Sequence, residues 1–272
     1  MPSGSDRPWA RTGLPSGSPQ QSPQGLVTGQ VLLPSQAESY GPILSVGTQD
    51  PADVDAEVVL ELLRAAYRRG DAIGLDTEYV TDDLQRSNCH RAIVHLVSLG
   101  IPEPTHITQS ATGLPVATRV VISGRALQHF RKWFASDHKK VLYNAPADLH
   151  ALETTGITVA NWEDLLGLSR YLAPDHKDHS LKWHIQHSLG YRGEGEYKEH
   201  FYTFKIGKKG LPTKQRVPIR LAEIVPGHPL WEKLKVYAAL DAKATVELYY
   251  KWVQKYPCLS GAGKEINEQR KT

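Results

Sequence analysis

The stretch Ala72–Tyr79, "AIGLDTEY", places two acids directly behind a short apolar segment. Alternate side chains of a strand point to the same face, so Asp76 and Glu78 are expected side by side. Two neighbouring carboxylates repel each other, and such a pair is unfavourable near a core unless a cation offsets it. The stretch therefore indicates either a solvated strand end or a site that needs concentrated negative charge.

A second pair with the same spacing, Asp55 and Glu57, shows how weak this evidence is on its own. These acids precede "VVLELLRAAYRRG", in which apolar residues recur at helical spacing until Gly70. Acids in the first turn of a helix are favoured by its dipole, so this pair is explained without any ligand. The strand context is what distinguishes Asp76 and Glu78.

A second group of polar residues follows the predicted strand "KKVLYN", which ends at Asn144. Asp148 comes four residues later, in a predicted helix that carries Pro146 in its first turn, where proline is tolerated. Asn144 suits the N-cap of that helix. Asp148 lies at a strand–helix junction, where open α/β sheets tend to bind ligands. Asn144 can cap the helix while Asp148 contributes to a ligand site.

A third pair, Tyr237 and Asp241, lies four residues apart in "KVYAALDAKATVELYY". Residues at this spacing are stacked on one face of a helix, and the predicted helix here is uninterrupted. The same spacing at 79–83 leads from a strand into a loop, and at 171–175 it contains a proline. Of these three pairs, Tyr237 and Asp241 are therefore the one predicted to be held rigidly, although a core tyrosine beside a surface acid is the ordinary alternative.

The predicted elements alternate between strand and helix, and from about residue 162 the pattern becomes helical. This order favours an α/β fold with a mixed β-sheet flanked by helices and a helical C-terminal half. We expect a folded domain over 41–257. Residues 1–40, which include "SGSPQQSPQG", are predicted to be a disordered tail, and 258–272 a flexible C-terminal tail.

Charge and composition limit how the protein could bind nucleic acid. The chain has 272 residues and a formal charge of only +3, so any such binding must depend on a local basic patch. The segment 193–229 is polar, glycine-rich and basic, and it is predicted to be a long loop or a hairpin. Cations interleaved with aromatic residues suit the binding of single-stranded nucleic acid, although a solvated loop is the plain alternative. The candidate contacts are Lys205, Lys208, Lys209, Lys214 and Arg216.

Cysteine content and hydropathy bear on location. The two cysteines, Cys89 and Cys258, form no disulfide or metal spacing, which favours a reducing, cytoplasmic environment. No apolar run approaches the roughly 20 residues of a membrane span. An organellar presequence within the uncharged segment 12–37 is the alternative.

Taken together, the three acidic motifs and their flanks resemble the DEDD superfamily of 3′–5′ exonucleases, in its tyrosine branch. The chain looks most like the proofreading domain of family-A DNA polymerases and like ribonuclease D-like enzymes, over about 42–256. This resemblance implies a ribonuclease H-like fold. It implies metal-binding roles for Asp76, Glu78, Asp148 and Asp241, with Tyr237 orienting the attacking water. The histidine branch would carry its base five residues before Asp241, where this chain has Val236.

The chemistry of the residues agrees with the resemblance. Four carboxylates without histidine or cysteine ligands suit two hard divalent ions, Mg²⁺ or Mn²⁺. We expect hydrolysis of phosphodiester bonds at a single-stranded or frayed 3′ end, with DNA favoured over RNA. Thr77 and Asn144 are further candidate contacts to nucleic acid, and a separate polymerase is a candidate partner. The alternatives are an RNA-trimming enzyme of the ribonuclease D kind and a non-catalytic nucleic-acid-binding module.

Overall fold

The computed structural model describes residues 43–81, 92–104, 117–191, 201–206, 211–219 and 221–256. The tails predicted at 1–40 and 258–272 lie outside these ranges. Within the described ranges, no helix combines the length and the apolar character needed to cross a membrane.

A six-stranded mixed sheet forms the centre of the fold. Its strands are β1 (Ile43–Val46), β2 (Ile73–Thr81), β3 (Ala92–Pro102), β4 (Ala117–Ser123), β5 (Lys140–Leu142) and β6 (Trp162–Asp164). Their spatial order is β1-β4-β3-β2-β5-β6. The pairs β2–β3 and β3–β4 are antiparallel, whereas β1–β4, β2–β5 and β5–β6 are parallel. This mixed order is the ribonuclease H-like arrangement that the resemblance implies.

Helices cover both faces of this sheet. They are α1 (Ala56–Arg69), α2 (Arg131–Phe134), α3 (Ala145–Thr154), α4 (Leu165–Leu172), α5 (Leu181–Trp183) and α6 (Trp231–Lys255). A 3₁₀ helix, Gly124–Phe130, runs directly into α2. One core cluster joins α1 and α3 to one face of the sheet, and two others join α4 and α6 to the opposite face.

Helix α1 begins at Asp55 and Glu57, the acidic pair with the same spacing as Asp76 and Glu78. The carboxylate of Asp55 accepts a hydrogen bond from the Glu57 N–H at 2.8 Å and so caps the helix. The helix ends at Gly70, whose φ of 76° is the left-handed conformation that glycine adopts without strain. The prediction that this acidic pair belongs to a helix start is confirmed.

The basic segment contains a two-stranded antiparallel hairpin, the second of its two predicted alternatives. Strands β7 (Tyr202–Ile206) and β8 (Pro212–Pro218) pair with each other and form a small separate sheet. Its base is closed by a hydrogen bond from the Ile219 N–H to the Phe201 carbonyl at 2.8 Å. A 3₁₀ turn, Leu221–Glu223, leads the chain on towards α6.

Candidate active site

Three carboxylates from two elements meet at one end of the sheet. Asp76 and Glu78 lie on β2, and Asp241 lies on α6. One carboxylate oxygen from each lies within 4.8 Å of the others, and all three residues are half-buried. The predicted meeting of the β2 acids with the α6 acid is therefore observed, although Glu78 and Asp241 are 163 positions apart in the sequence. This is a donor set that a hard cation would bind.

The electrostatics of Asp76 support this interpretation. Burial raises the pKa of Asp76 well above its ordinary value, and the charges of Asp148, Asp241 and Glu78 raise it further. The backbone N–H of Thr77 acts in the opposite direction. The acids are thus held where their ionised forms are costly, which is the arrangement expected of a site completed by a positive ion.

Asp148 lies beside this group and is held by the residue between the two β2 acids. Its Oδ1 accepts hydrogen bonds from Thr77 Oγ1 at 2.6 Å and from Thr77 N at 3.2 Å. Burial raises the pKa of Asp148 to about 7, and the Thr77 hydrogen bonds lower it in part. The Thr77 side chain is buried and its hydroxyl donates to Asp148. A contact of Thr77 with nucleic acid stays a prediction.

Asn144 departs from its predicted role as a side-chain cap. It occupies the N-cap position of α3 with φ 67° and ψ 47°, and its side chain makes no capping hydrogen bond. A side-chain N-cap normally needs extended backbone, which this left-handed conformation does not provide. The Asn144 N–H instead donates to Asp164 Oδ1 at 2.9 Å.

Asp164 supports the site from the end of β6. Its Oδ1 also accepts from the Leu166 N–H at 3.0 Å, so it caps α4 as an acid at that helix start is expected to do. By accepting from the Asn144 N–H, Asp164 fixes the turn at which α3, the helix that carries Asp148, begins. The charge of Asp164 also contributes to the raised pKa of Asp148. The short strand β6 was not predicted, because three residues are too few for a strand period to show.

Tyr237 lies one turn before Asp241 on α6, and its hydroxyl donates a hydrogen bond to that carboxylate. Burial raises the pKa of Tyr237 far above its ordinary value, and the charges of Glu78 and Asp241 raise it further. The hydroxyl therefore stays protonated and serves as a hydrogen-bond donor. Its ring contacts that of Phe201, with the ring centres 5.6 Å apart.

A β-bulge beside Glu78 was missed by the sequence reasoning. Glu78 pairs with Leu96 and Tyr79 pairs with Val94, so His95 is the extra residue of β3. His95 Nε2 lies 3.1 Å from the Ile224 carbonyl, which can only accept, so this nitrogen carries the proton. Burial lowers the pKa of His95 and so favours the neutral ring. No local pattern in the sequence marks such a bulge.

The predicted nucleic-acid contacts of the basic segment fall in two places. Lys205 lies in β7, and Lys214 and Arg216 lie in β8, where the backbone is described. Lys208 and Lys209 lie outside the described residues. Their role in binding nucleic acid stays a prediction.

A family model described as a 3′–5′ exonuclease, of the DNA polymerase A type, matches residues 52–255. No protein of curated function matches the sequence. Among solved structures, the catalytic core of RRP6 from Trypanosoma brucei is 15% identical, with a TM-score of 0.48 and coverage of 82% of this chain and 51% of that one. RNase D of Escherichia coli is 15% identical, with a TM-score of 0.47 and coverage of 85% and 49%. NrnC of Brucella melitensis with bound Mg²⁺ is 16% identical, with a TM-score of 0.43 and coverage of 78% of each chain.

Proposed function

The chain belongs to the 3′–5′ exonuclease family and is a phosphodiester hydrolase, and from this premise we propose that it shortens single-stranded or frayed DNA from the 3′ end. The observation that carries the proposal is the convergence of Asp76, Glu78 and Asp241, whose carboxylate oxygens lie within 4.8 Å of one another. Tyr237 is hydrogen-bonded to Asp241. Asp148 completes the proposed set from beside Asp76. A metal-dependent nuclease needs such a set, and a binding module does not.

Divalent metal ions are the cofactors of this family, and the residues present fit them. The donors are carboxylate oxygens, which Mg²⁺ and Mn²⁺ prefer, and the raised pKa of Asp76 reflects negative charge gathered in a partly buried place. We assign Asp76, Glu78, Asp148 and Asp241 to hold them. When bound, two such ions lower the pKa of a water and neutralise charge on the phosphate and the leaving oxygen.

The chain's own residues orient the reacting groups. Tyr237 stays protonated and donates a hydrogen bond to Asp241, so its hydroxyl oxygen can accept a hydrogen bond from the attacking water and set the direction of that water. The water oxygen attacks phosphorus and gives up a proton to solvent, the bond from phosphorus to the 3′ oxygen breaks, and that oxygen takes up a proton from solvent. The products are a nucleoside 5′-phosphate and a strand that ends in a 3′-hydroxyl. Thr77 holds Oδ1 of Asp148 in place.

The choice of DNA over RNA is part of the proposal. It is supported by the flanks of the acidic motifs, which look like those of polymerase proofreading domains. A role in proofreading or repair beside a separate polymerase follows from the same likeness. We place the enzyme in the cytoplasm on the basis of its two cysteines, which lack any disulfide spacing.

Incubation with 5′-labelled single-stranded DNA and RNA of the same sequence tests the proposal. With Mg²⁺ or Mn²⁺ we expect a ladder that shortens from the 3′ end of DNA, and chelator should abolish it. Binding without shortening would refute the enzymatic claim for this chain, and faster shortening of RNA would reverse the substrate assignment.

The chain supplies a matched control for the acidic residues. Asp76→Asn and Glu78→Gln should abolish the ladder, whereas Asp55→Asn and Glu57→Gln change the same spacing at the start of α1 and should leave it intact. Asparagine also caps helices, so Asp55→Asn keeps the fold of α1. Equal losses of cleavage activity from the substitutions in β2 and at the start of α1 would contradict a role specific to the acids of β2.

A further inference from the structure

Phe201 occupies a position between the basic hairpin and the candidate active site. It directly precedes β7, and its carbonyl accepts the hydrogen bond from Ile219 that closes the base of the hairpin. Its backbone therefore belongs to the hairpin, while its side chain points into the core beneath.

The Phe201 ring is held firmly. Only 5% of the residue is exposed, and it belongs to a core cluster with Leu96, Ile224 and Trp231. The ring centre lies 5.6 Å from that of Tyr237, and the two planes are inclined by 54°. Such tilted contacts between aromatic rings are favourable and restrict the orientation of both rings.

The chain on the far side of the hairpin is also fixed next to the site. His95, the extra residue of the bulge beside Glu78, donates a hydrogen bond to the Ile224 carbonyl at 3.1 Å. Ile224 is fully buried and packs in the same cluster as Phe201. Both ends of the hairpin segment are thus attached to residues that neighbour the carboxylates.

We propose that Phe201 is a positioning residue for Tyr237, through which the hairpin sets the direction of the tyrosine hydroxyl. The hydroxyl is held at one end by Asp241, and the ring to which it is attached is held by Phe201. The inference rests on the proposed function, because it gives the hairpin a share in the chemical step as well as in binding. A nucleic-acid strand bound to the hairpin would then be coupled to Tyr237, the residue that orients the attacking water.

A double-mutant cycle separates this role from ordinary core packing. We would measure kcat and KM on 5′-labelled single-stranded DNA for wild type, Phe201→Leu, Tyr237→Phe and the double variant. Leucine keeps most of the buried volume but lacks a ring, so the fold should survive. We expect Phe201→Leu to lower kcat by about tenfold with little change in KM, since a misplacement of ~1 Å can cost up to ~10²-fold.

The decisive comparison is made without the tyrosine hydroxyl. In the Tyr237→Phe background, the leucine substitution should have no further effect on kcat. In the protein that keeps Tyr237, Phe201→Tyr, which retains an aromatic ring, should keep most of the wild-type rate. Leu168→Val, in a different core cluster, serves as the packing control and should leave kcat unchanged. If the losses of kcat from the two single substitutions multiply in the double variant, this inference is overturned and the proposed function still stands. A wild-type protein that cleaves nothing would overturn both the proposed function and this inference.

Discussion

Gly74 on β2 lies directly beneath the backbone carbonyl of Ala242 on α6, so closely that a Cβ at Gly74 would be 2.0 Å from that oxygen. Gly100, its partner across the β2–β3 pairing, is in the same position, with 2.7 Å between its added Cβ and the same oxygen. Asp76 is two residues from Gly74, and Asp241 adjoins Ala242. The two glycines therefore allow the contact that sets how closely the acids of β2 and α6 approach.

Gly74→Ala should separate these two elements. The obstructing atom is backbone, which cannot rotate aside, so α6 must move away from the sheet. We expect a loss of about 1–3 kcal/mol in the free energy of unfolding, as for other overpacked cores. The loss of nuclease activity should be larger than this stability change explains, which denaturant unfolding and the cleavage rate would show together.

Gly156→Ala is the matched control for this substitution. Gly156 has φ 77°, so alanine is strained there by about 1–2 kcal/mol, but nothing lies within 4 Å of the added Cβ. We expect a comparable loss of stability with the cleavage rate unchanged. A parallel loss of activity in both variants would show that stability alone limits the rate.

The raised pKa of Asp148 predicts a pH dependence of the metal-free protein. Because the folded pKa of about 7 exceeds the ordinary value of 3.8, protonation favours the folded state. The stability of the protein in chelator should therefore fall as pH rises from about 4 to about 7. Asp148→Asn should flatten this dependence, and denaturant unfolding at a series of pH values measures it.

Added Mg²⁺ should act in the opposite direction over the same pH range. An ion binds the ionised carboxylates, so its stabilisation of the fold grows with pH. A stabilisation by Mg²⁺ that is equal at pH 5 and pH 8 would contradict the assignment of these acids as ligands. Asp55→Asn, remote from the site, should leave the Mg²⁺ effect as in wild type.

Asp164 allows charge and hydrogen bonding to be separated. Asp164→Asn keeps an oxygen that can accept from Asn144 and Leu166, so we expect the fold and most of the activity to remain. Its lost charge should lower the pKa of Asp148 and move the acidic limb of the pH–rate profile to lower pH. Asp164→Ala removes both acceptor contacts and should cost about 1–3 kcal/mol of stability. Identical behaviour of the two variants would argue against a role for the hydrogen bonds.

Asp76→Asn should have opposite effects on stability and activity. The neutral amide relieves the unfavourable charge at this position, so the metal-free variant should unfold at higher denaturant concentration than wild type. The cleavage rate should fall by roughly 10²–10³-fold or more, the size of effect seen when one electrostatic group is lost from an active site. A metal-free variant less stable than wild type would contradict the charge crowding described here.

Features contained within one element were predictable from the residue pattern. The meeting of the β2 acids with Asp241 followed only from the family resemblance, and the other contacts between distant elements were not predicted. The spacing of Asp76 and Glu78 on a strand, and of Tyr237 and Asp241 on a helix, follows from the periods of those structures. The hydrogen bonds from Thr77 to Asp148 join residues 71 positions apart, and no local pattern indicates them.

Backbone irregularities were missed for a related reason. The left-handed Asn144 is held by a carboxylate of another strand, and the bulge at His95 exists only in relation to β2. Each depends on tertiary contacts that override local preference. The resemblance to a known family placed Asp148 in the site, but it did not indicate how Asp148 is held.

The position of Tyr237 and Asp241 on the last described helix has a consequence during translation. Asp76, Glu78 and Asp148 leave the ribosome long before α6 does, and without α6 the nascent chain lacks both the third carboxylate of the cluster and the tyrosine. The core clusters that contain α6 also cannot form until then. From the proposed roles of Asp241 and Tyr237 we therefore expect nuclease activity only after α6 has been synthesised and has packed onto the sheet.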